Sequence, residues 1–289
     1  MSSHVFRLIK DEPDDRDLKF TLPEAPIDTS APPTMPIGPS SRYIVRGIPK
    51  AAPRTPTLPA LPITFDLRSR SIKVPAVLDQ GAIGSCAPNQ LSNALRFCLA
   101  SQKLLEFQPS RLFIYFFARL VDGSPLTQDT GISIRGGLKA IQRFGAPKEE
   151  LCPYIPADFA KQPNKDAVLN ARLRIMNSFQ YLAVEQNLEF IKRAINAGFP
   201  VIMGIQVYES IESKNTSSTG VITLPDKKKE RCYGGHCVSL WGWDDGAKVF
   251  NMMNTWGTNV GKNGWFTLPY AYVLDPALAF DLWTIRYWK

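Results

Sequence analysis

Apolar residues recur with two different periods along this chain, and the change from one to the other divides it. Leu91, Ala94, Leu95, Cys98 and Leu99 fall at i, i+3, i+4, i+7 and i+8, which is one face of a helix. Pro88 fits a helix only in its first turn, so the start lies near 85–86. Residues 109–121 read as a second, very apolar helix. A third covers 133–144, with Ile134, Leu138, Ile141 and Phe144 on one side and Gly145 as terminator. A fourth spans 188–197 and is stopped by Gly198. Beyond it the period shortens. Segments 200–208, 236–243, 247–254 and 264–269 read as strands separated by Gly, Asn and Asp turns. Helices first and strands later predict an α+β protein of two lobes.

The first 62 residues follow neither period. They hold 12 of the 24 prolines and two of the 19 glycines. Proline removes donors and fixes the backbone, so this stretch reads as an extended arm, 1–62, ahead of a body, 63–289. An arm of this kind builds no core of its own. It is expected to lie along or near a cleft of the body, or to serve as a tether, and Arg42, Arg46, Lys50 and Arg54 offer points for cutting it.

Composition narrows the picture. With 289 residues, 44% of them hydrophobic and 21% charged, the chain is globular rather than disordered. Its longest strongly apolar run, 112–118, is far shorter than the ~20 residues of a membrane-spanning helix. The net charge of +8 is spread out, apart from Lys227, Lys228, Lys229 and Arg231, which read as a solvated loop. Neither nucleic acid nor membrane is expected as a partner. Five cysteines, an odd number, with no apolar leader core, fit a reducing compartment: the cytoplasm, or a virion if the source is a virus.

Only two histidines exist, His4 and His236, so chemistry near neutral pH within the body must run through His236. Cys86 is delivered to a helix start by a glycine-containing loop. Unpaired N–H groups there favour an anion and should lower its pKa. Gln80 carries an amide donor that, with the Cys86 N–H, would make an oxyanion hole. Asn254 ends a strand and can orient an imidazole, with Trp256 shielding that bond. Nucleophile, base, orienter and oxyanion donor together make a cysteine acyl-transfer site. A zinc site at Cys232, His236 and Cys237 matches no common ligand spacing and lacks a fourth ligand. Neither a metal nor a cofactor is called for.

At these residues the sequence resembles the papain-like cysteine peptidases. The family's pieces stand in order as Gln80-Gly81, Gly84-Ser85-Cys86, Gly235-His236-Cys237, Asn254-Thr255-Trp256-Gly257 and Asn263-Gly264-Trp265. The resemblance covers about 65–289. It implies a helical left lobe, a β-rich right lobe and a cleft between them, with protein or peptide substrates. By the same resemblance Gly136 and Gly137 bind substrate backbone, Gly204 and Cys237 line a roomy specificity pocket, and Trp256 joins the substrate-binding set. The stretch 13–18 followed by proline-rich sequence is similar to bacterial and large-virus members. Where the family usually has Cys-Trp-Ala-Phe, this chain has Cys86-Ala87-Pro88-Asn89, and Ile83 stands in place of a disulfide cysteine. Residues 209–233 form an insertion read as a surface loop. The alternative is a cover over one end of the cleft that favours exopeptidase action. The leading expectation is an endopeptidase made as a zymogen. Another acyl transferase, or an inactive binding protein on the same fold, is the rival.

Overall fold

The computed structural model describes residues 4–22, 58–104, 106–173 and 179–287. Most of the proline-rich arm, including Arg42, Arg46, Lys50 and Arg54, lies outside the described residues.

The helical half is built from α1 (Cys86–Ser101), α2 (Arg111–Val121), α3 (Ile134–Phe144) and α4 (Lys165–Leu173). Helix α1 begins at Cys86 with Pro88 in its first turn. The Ser110 and Ser133 hydroxyls accept from backbone N–H groups one turn in and so fix the starts of α2 and α3, each cap contributing ~1 kcal/mol. The apolar faces of α1, α2 and α3 meet in one core around Leu91, Leu95, Ile114, Tyr115 and Leu138.

Downstream lie β2 (Phe179–Ala183), α5 (Leu188–Asn196), β3 (Val201–Tyr208), α6 (Lys214–Thr219), β4 (Cys232–Asp244), β5 (Val249–Met253), β6 (Trp265–Pro269), α7 (Tyr270–Leu274) and β7 (Ala279–Tyr287). The strands form one antiparallel sheet in the order β2-β7-β3-β4-β5-β6, and β1 (Thr64–Asp66) pairs with the far end of β4. Alternation along the strands sorts side chains between two cores. Val201, Met203, Val238 and Leu240 enter the core under α5, while Ile202, Cys237 and Trp283 turn toward α1.

Strand β7 escapes a period-two reading. Its alternation is broken at Asp281, which has φ +53°, opposite a register shift between Ile202 and Gly204 of β3. A bulge costs one residue of phase, so the apolar residues on either side no longer read as one face.

Part of the arm joins the body. Phe20 N–H donates to the Ala183 carbonyl and Ala183 N–H to the Leu18 carbonyl, extending β2 at the sheet edge. Phe20 is buried there and Leu8 is buried in the helical core. Residues 4–9 then cross the groove between the two halves. No helix among the described residues is long and apolar enough to cross a membrane.

Candidate active site

Two hydrogen-bonded seams set the site. Gln90, one turn into α1, donates to the Met253 carbonyl at 2.8 Å and accepts from the Ser239 hydroxyl at 2.7 Å, which fixes α1 against β4 and β5. One turn back on α1 is Cys86, and three residues back on β4 is His236. The second seam joins the loop before α1 to the segment after β5. Gln80 N–H donates to the Thr255 carbonyl and Gly257 N–H to the Leu78 carbonyl. Four sequence pieces thereby converge.

His236 and Asn254 are fully buried, with His236 Nε2 2.7 Å from Asn254 Oδ1. Thr255 N–H donates to the same Oδ1, which identifies that atom as an acceptor. Nε2 therefore carries the hydrogen, and Nδ1 is left bare, without a partner among the described residues. That is the tautomer a thiol proton needs. The Trp256 indole lies 5.0 Å from the imidazole at 30° and covers the His236–Asn254 bond from solvent. Nε2 is thus occupied by Asn254, and Cys232 is exposed farther along β4. The Gln80 amide is also oriented. Thr255 Oγ1 donates to its Oε1 at 2.7 Å, so its Nε2 faces the cleft. Thr255 is a positioning residue that the sequence reading left out, although it stands between the two residues that reading singled out.

The cleft is filled by residues 4–9. Gln80 Nε2 donates to the Val5 carbonyl at 3.3 Å and to the Ile83 carbonyl at 3.1 Å. Phe6 sets its ring edge-on to His236 at 5.7 Å, and His4 stacks on Trp256 at 5.1 Å. Leu8 N–H donates to the Gly235 carbonyl and Ile9 N–H to the Ile132 carbonyl. Arg7 pairs with Asp129, whose carboxylate is held by Gly84 N–H and the Tyr115 hydroxyl. The main chain at Arg7 passes so close to Gly131 that a Cβ there would lie 1.7 Å from the Arg7 carbonyl oxygen. Gly131, at φ +76°, cannot be another residue while this segment is in place.

That contact corrects the assignment to Gly136 and Gly137. Both are buried inside α3, where an added Cβ would strike the Asp122 carboxylate or the Leu91 side chain. They serve close packing within the helical half, and the glycine at the cleft wall is Gly131. Gly204 and Cys237 do face each other across β3 and β4. The room beside Gly204 is taken by the Phe280 ring, 2.3 Å from where its Cβ would stand. The roomy pocket is therefore closed by a side chain from β7.

The expected lowering of the Cys86 pKa is also corrected. Burial pushes the Cys86 thiol up to about 11, although N–H groups of Cys237 and Ala87 act the other way. Burial likewise lowers His236 to about 4, and Asn254 opposes that. Beneath the segment, thiol and imidazole are both neutral. Desolvation disfavours a charge on either one, and it outweighs the helix N-terminus.

Residues 211–218 do not lie idle on the surface. With Trp256, Val260 and Phe266 they wall a cavity of about 560 Å³ that opens beside His4.

A two-lobe body, with a cysteine at a helix start whose thiol lies at the Cys237 N–H, next along the strand to an Asn-oriented histidine, defines a papain-type thiol hydrolase. Residues 61–272 match the family described as papain family cysteine protease, and this chain belongs to that family. It is 34% identical over 296 residues to an uncharacterized peptidase C1-like protein of Acanthamoeba polyphaga mimivirus, covering 98% of this chain and 87% of the relative. Xylellain, a cysteine protease from Xylella fastidiosa, is 29% identical with a TM-score of 0.79, over 100% of this chain and 98% of that one. A digestive procathepsin L of Tenebrio molitor larval midgut shares the fold at 18% identity and a TM-score of 0.63, over 79% of this chain and 71% of that one. The protein is a papain-family cysteine protease, with a large-virus relative and a bacterial structural neighbour.

Proposed function

We propose that the chain is a cysteine endopeptidase that is held closed by its own residues 4–9. One observation carries this reading: a main-chain carbonyl of the protein, that of Val5, rests on the Gln80 amide, and the ring of the next residue, Phe6, stands edge-on to the buried His236. A carbonyl in that place is where a scissile one would react.

With the segment displaced, water returns and the two neutral partners can exchange charge. The Cys86 S–H proton passes to His236 Nδ1 and the thiolate adds to the substrate carbonyl carbon. Gln80 Nε2–H and the Cys86 backbone N–H hold the developing oxyanion. Collapse breaks the C–N bond as His236 gives its proton to the leaving amine, which leaves a thioester on Cys86. A water then loses its proton to His236, attacks the thioester and frees the acid, and Cys86 recovers its proton. Asn254 keeps Nε2–H engaged throughout, so Nδ1 alone exchanges protons.

Room beyond Trp256 favours cutting within a chain over trimming its end, because the cavity there accepts further residues after the leaving amine. The acidic side chains that follow the segment, Asp17 and Asp14, paired with Arg135 and Lys139 of the body, support the zymogen reading. The test is a fluorogenic dipeptide together with a peptidyl epoxide. Turnover and covalent labelling are expected in the wild type, both lost in Cys86→Ala. Hydrolysis that survives Cys86→Ala would overturn the mechanism.

A further inference from the structure

A second cavity, of about 310 Å³, lies where α1 and α5 end, within the size range of small-molecule sites. Helix α1 starts at Cys86 and stops at this cavity, so its 16 residues put about 24 Å between the cavity and the thiol. Two arginines line it, Arg70 and Arg286, with Ile72 and Phe199 as its apolar wall. No carboxylate among the described residues lines it.

The two guanidinium groups are held in place but left short of acceptors. Arg70 Nη2 donates to the Asn196 carbonyl at 2.6 Å, in the last turn of α5. That bond fixes the fork and leaves Nε and Nη1 without an acceptor among the described residues. Arg286, on β7, lies against two rings, with Cζ 4.1 Å from the centre of Phe199 and 5.1 Å from that of Phe20. Its Nε is walled in, so the group meets the cavity at its terminal amino groups, and none of its nitrogens has an acceptor among the described residues. Burial holds the Arg286 pKa below the ordinary arginine value, and Cys98 alone acts against it. A partly buried cation is ordinarily paired, because desolvating it is costly. The ends of α1 and α5 bring about half a negative charge each, which leaves the cavity net positive.

The unmet demand is for acceptors that reach two forks at once. A carboxylate has two oxygens in one plane and suits a single fork. A phosphate monoester presents three oxygens in three directions and a charge of about −1.5 to −2 at neutral pH. We propose that this cavity binds a phosphate monoester, with the phosphate on Arg70 and Arg286 and the esterified organic group on Ile72 and Phe199.

The experiment titrates phenyl phosphate, inorganic phosphate and benzoate into the full chain by calorimetry at neutral pH and one ionic strength. Phenyl phosphate should bind at least ~10-fold more tightly than either of the others, since it alone supplies both the phosphate and the apolar group. Arg70→Gln and Arg286→Gln should each raise its Kd at least ~10-fold, the loss of one charge-assisted hydrogen bond. Arg96→Gln removes the same charge from an arginine already paired with Glu106 and should change the Kd by no more than ~2-fold. Should Arg286→Gln fail to fold, the exposed Arg70 carries the test. Absence of saturable binding, or an unchanged Kd in Arg70→Gln, overturns the proposal. So does Arg96→Gln weakening binding as much as Arg70→Gln, which would assign the effect to overall charge. Benzoate or inorganic phosphate binding as tightly as phenyl phosphate overturns the ester assignment.

Discussion

Residues 4–9 and residues 11–20 belong to one segment but attach to the body by different physics. The first stretch covers the reacting atoms with main-chain hydrogen bonds and rings, and of its ionic contacts Arg7–Asp129 is half exposed on the arginine side and His4–Asp79 is exposed on the carboxylate side. The second stretch makes no contact with Cys86 and is held by buried charge. Asp11 accepts from Trp283 Nε1 at 2.9 Å and from Arg135 N–H at 3.1 Å, and its own N–H donates to Asp281. Asp17 pairs with Arg135, both side chains about nine-tenths buried, and Phe20 adds to the sheet edge. Exposed pairs contribute little, whereas losing one partner of a buried pair costs several kcal/mol. Blocking and holding are therefore separable jobs: 4–9 blocks and 11–20 holds.

Substitutions can pull the two apart. The largest effect falls on the reacting centre beneath the first stretch. Cys86→Ala should remove turnover entirely while leaving the segment as resistant to added protease as before, and increased cleavage of the segment would mean that the thiol also holds it. Gln80→Ala should lower kcat by ~10²–10³, the usual loss for one oxyanion donor. Because the same amide holds Val5, this variant should also admit small thiol reagents faster, and an unchanged kcat would leave Gln80 only the second role. Arg135→Ala strands the Asp17 carboxylate and the Glu12 carbonyl, while the backbone N–H to Asp11 stays, and should raise the full chain's activity on a dipeptide by ~10², the fold-change of about 3 kcal/mol. Equal activity in Arg135→Ala and wild type would place the holding contacts elsewhere.

The smallest effect concerns pH. His236 titrates near 4 when covered and returns toward 6.5 when water re-enters, so between those values acid favours the open form, which binds the extra proton. Asp281 behaves oppositely. Burial and the neighbouring Asp11 raise it to about 7, so between 7 and its ordinary 3.8 the closed form holds the extra proton and acid favours closure. The two slopes oppose each other over most of the range. Asp281→Asn should remove one of them and make opening acid-dependent, by roughly tenfold between pH 7 and 5, measured as the rate of thiol alkylation corrected for free-thiol reactivity. A variant as pH-insensitive as the wild type would show that His236 does not govern closure.

The reacting group was legible because it is written in scarce residue types. One body histidine, a cysteine at a helix start marked by Pro88 and an asparagine at a strand end leave few alternatives. Features made by distant contacts were not legible. Gly136 and Gly137 stand at the start of a helix, and only the positions of Asp122 and Leu91 show why both must be small. Gly204 left a space that Phe280 fills from 76 residues downstream. The charge state of Cys86 was read from its local helix terminus, while the deciding influence is burial in the folded body. A signal for the cover over the cleft was present. Residues 4–9 hold four apolar residues, Val5, Phe6, Leu8 and Ile9, and no proline, at the head of a region whose prolines drew attention to extension rather than pairing. Residues 209–233 resisted reading for a related reason: Glu212 becomes part of a cavity only when Trp256 and Phe266 are brought beside it.

The central claim is that Cys86 reacts only when residues 4–9 leave the cleft and that residues 11–20 control that departure. The most direct measurement is the rate at which a peptidyl epoxide labels Cys86 in the full chain, compared between wild type and Arg135→Ala at neutral pH. The account predicts labelling at least tenfold faster in Arg135→Ala, with the same final extent in both. Equal rates of labelling in the two, at full extent, would contradict it.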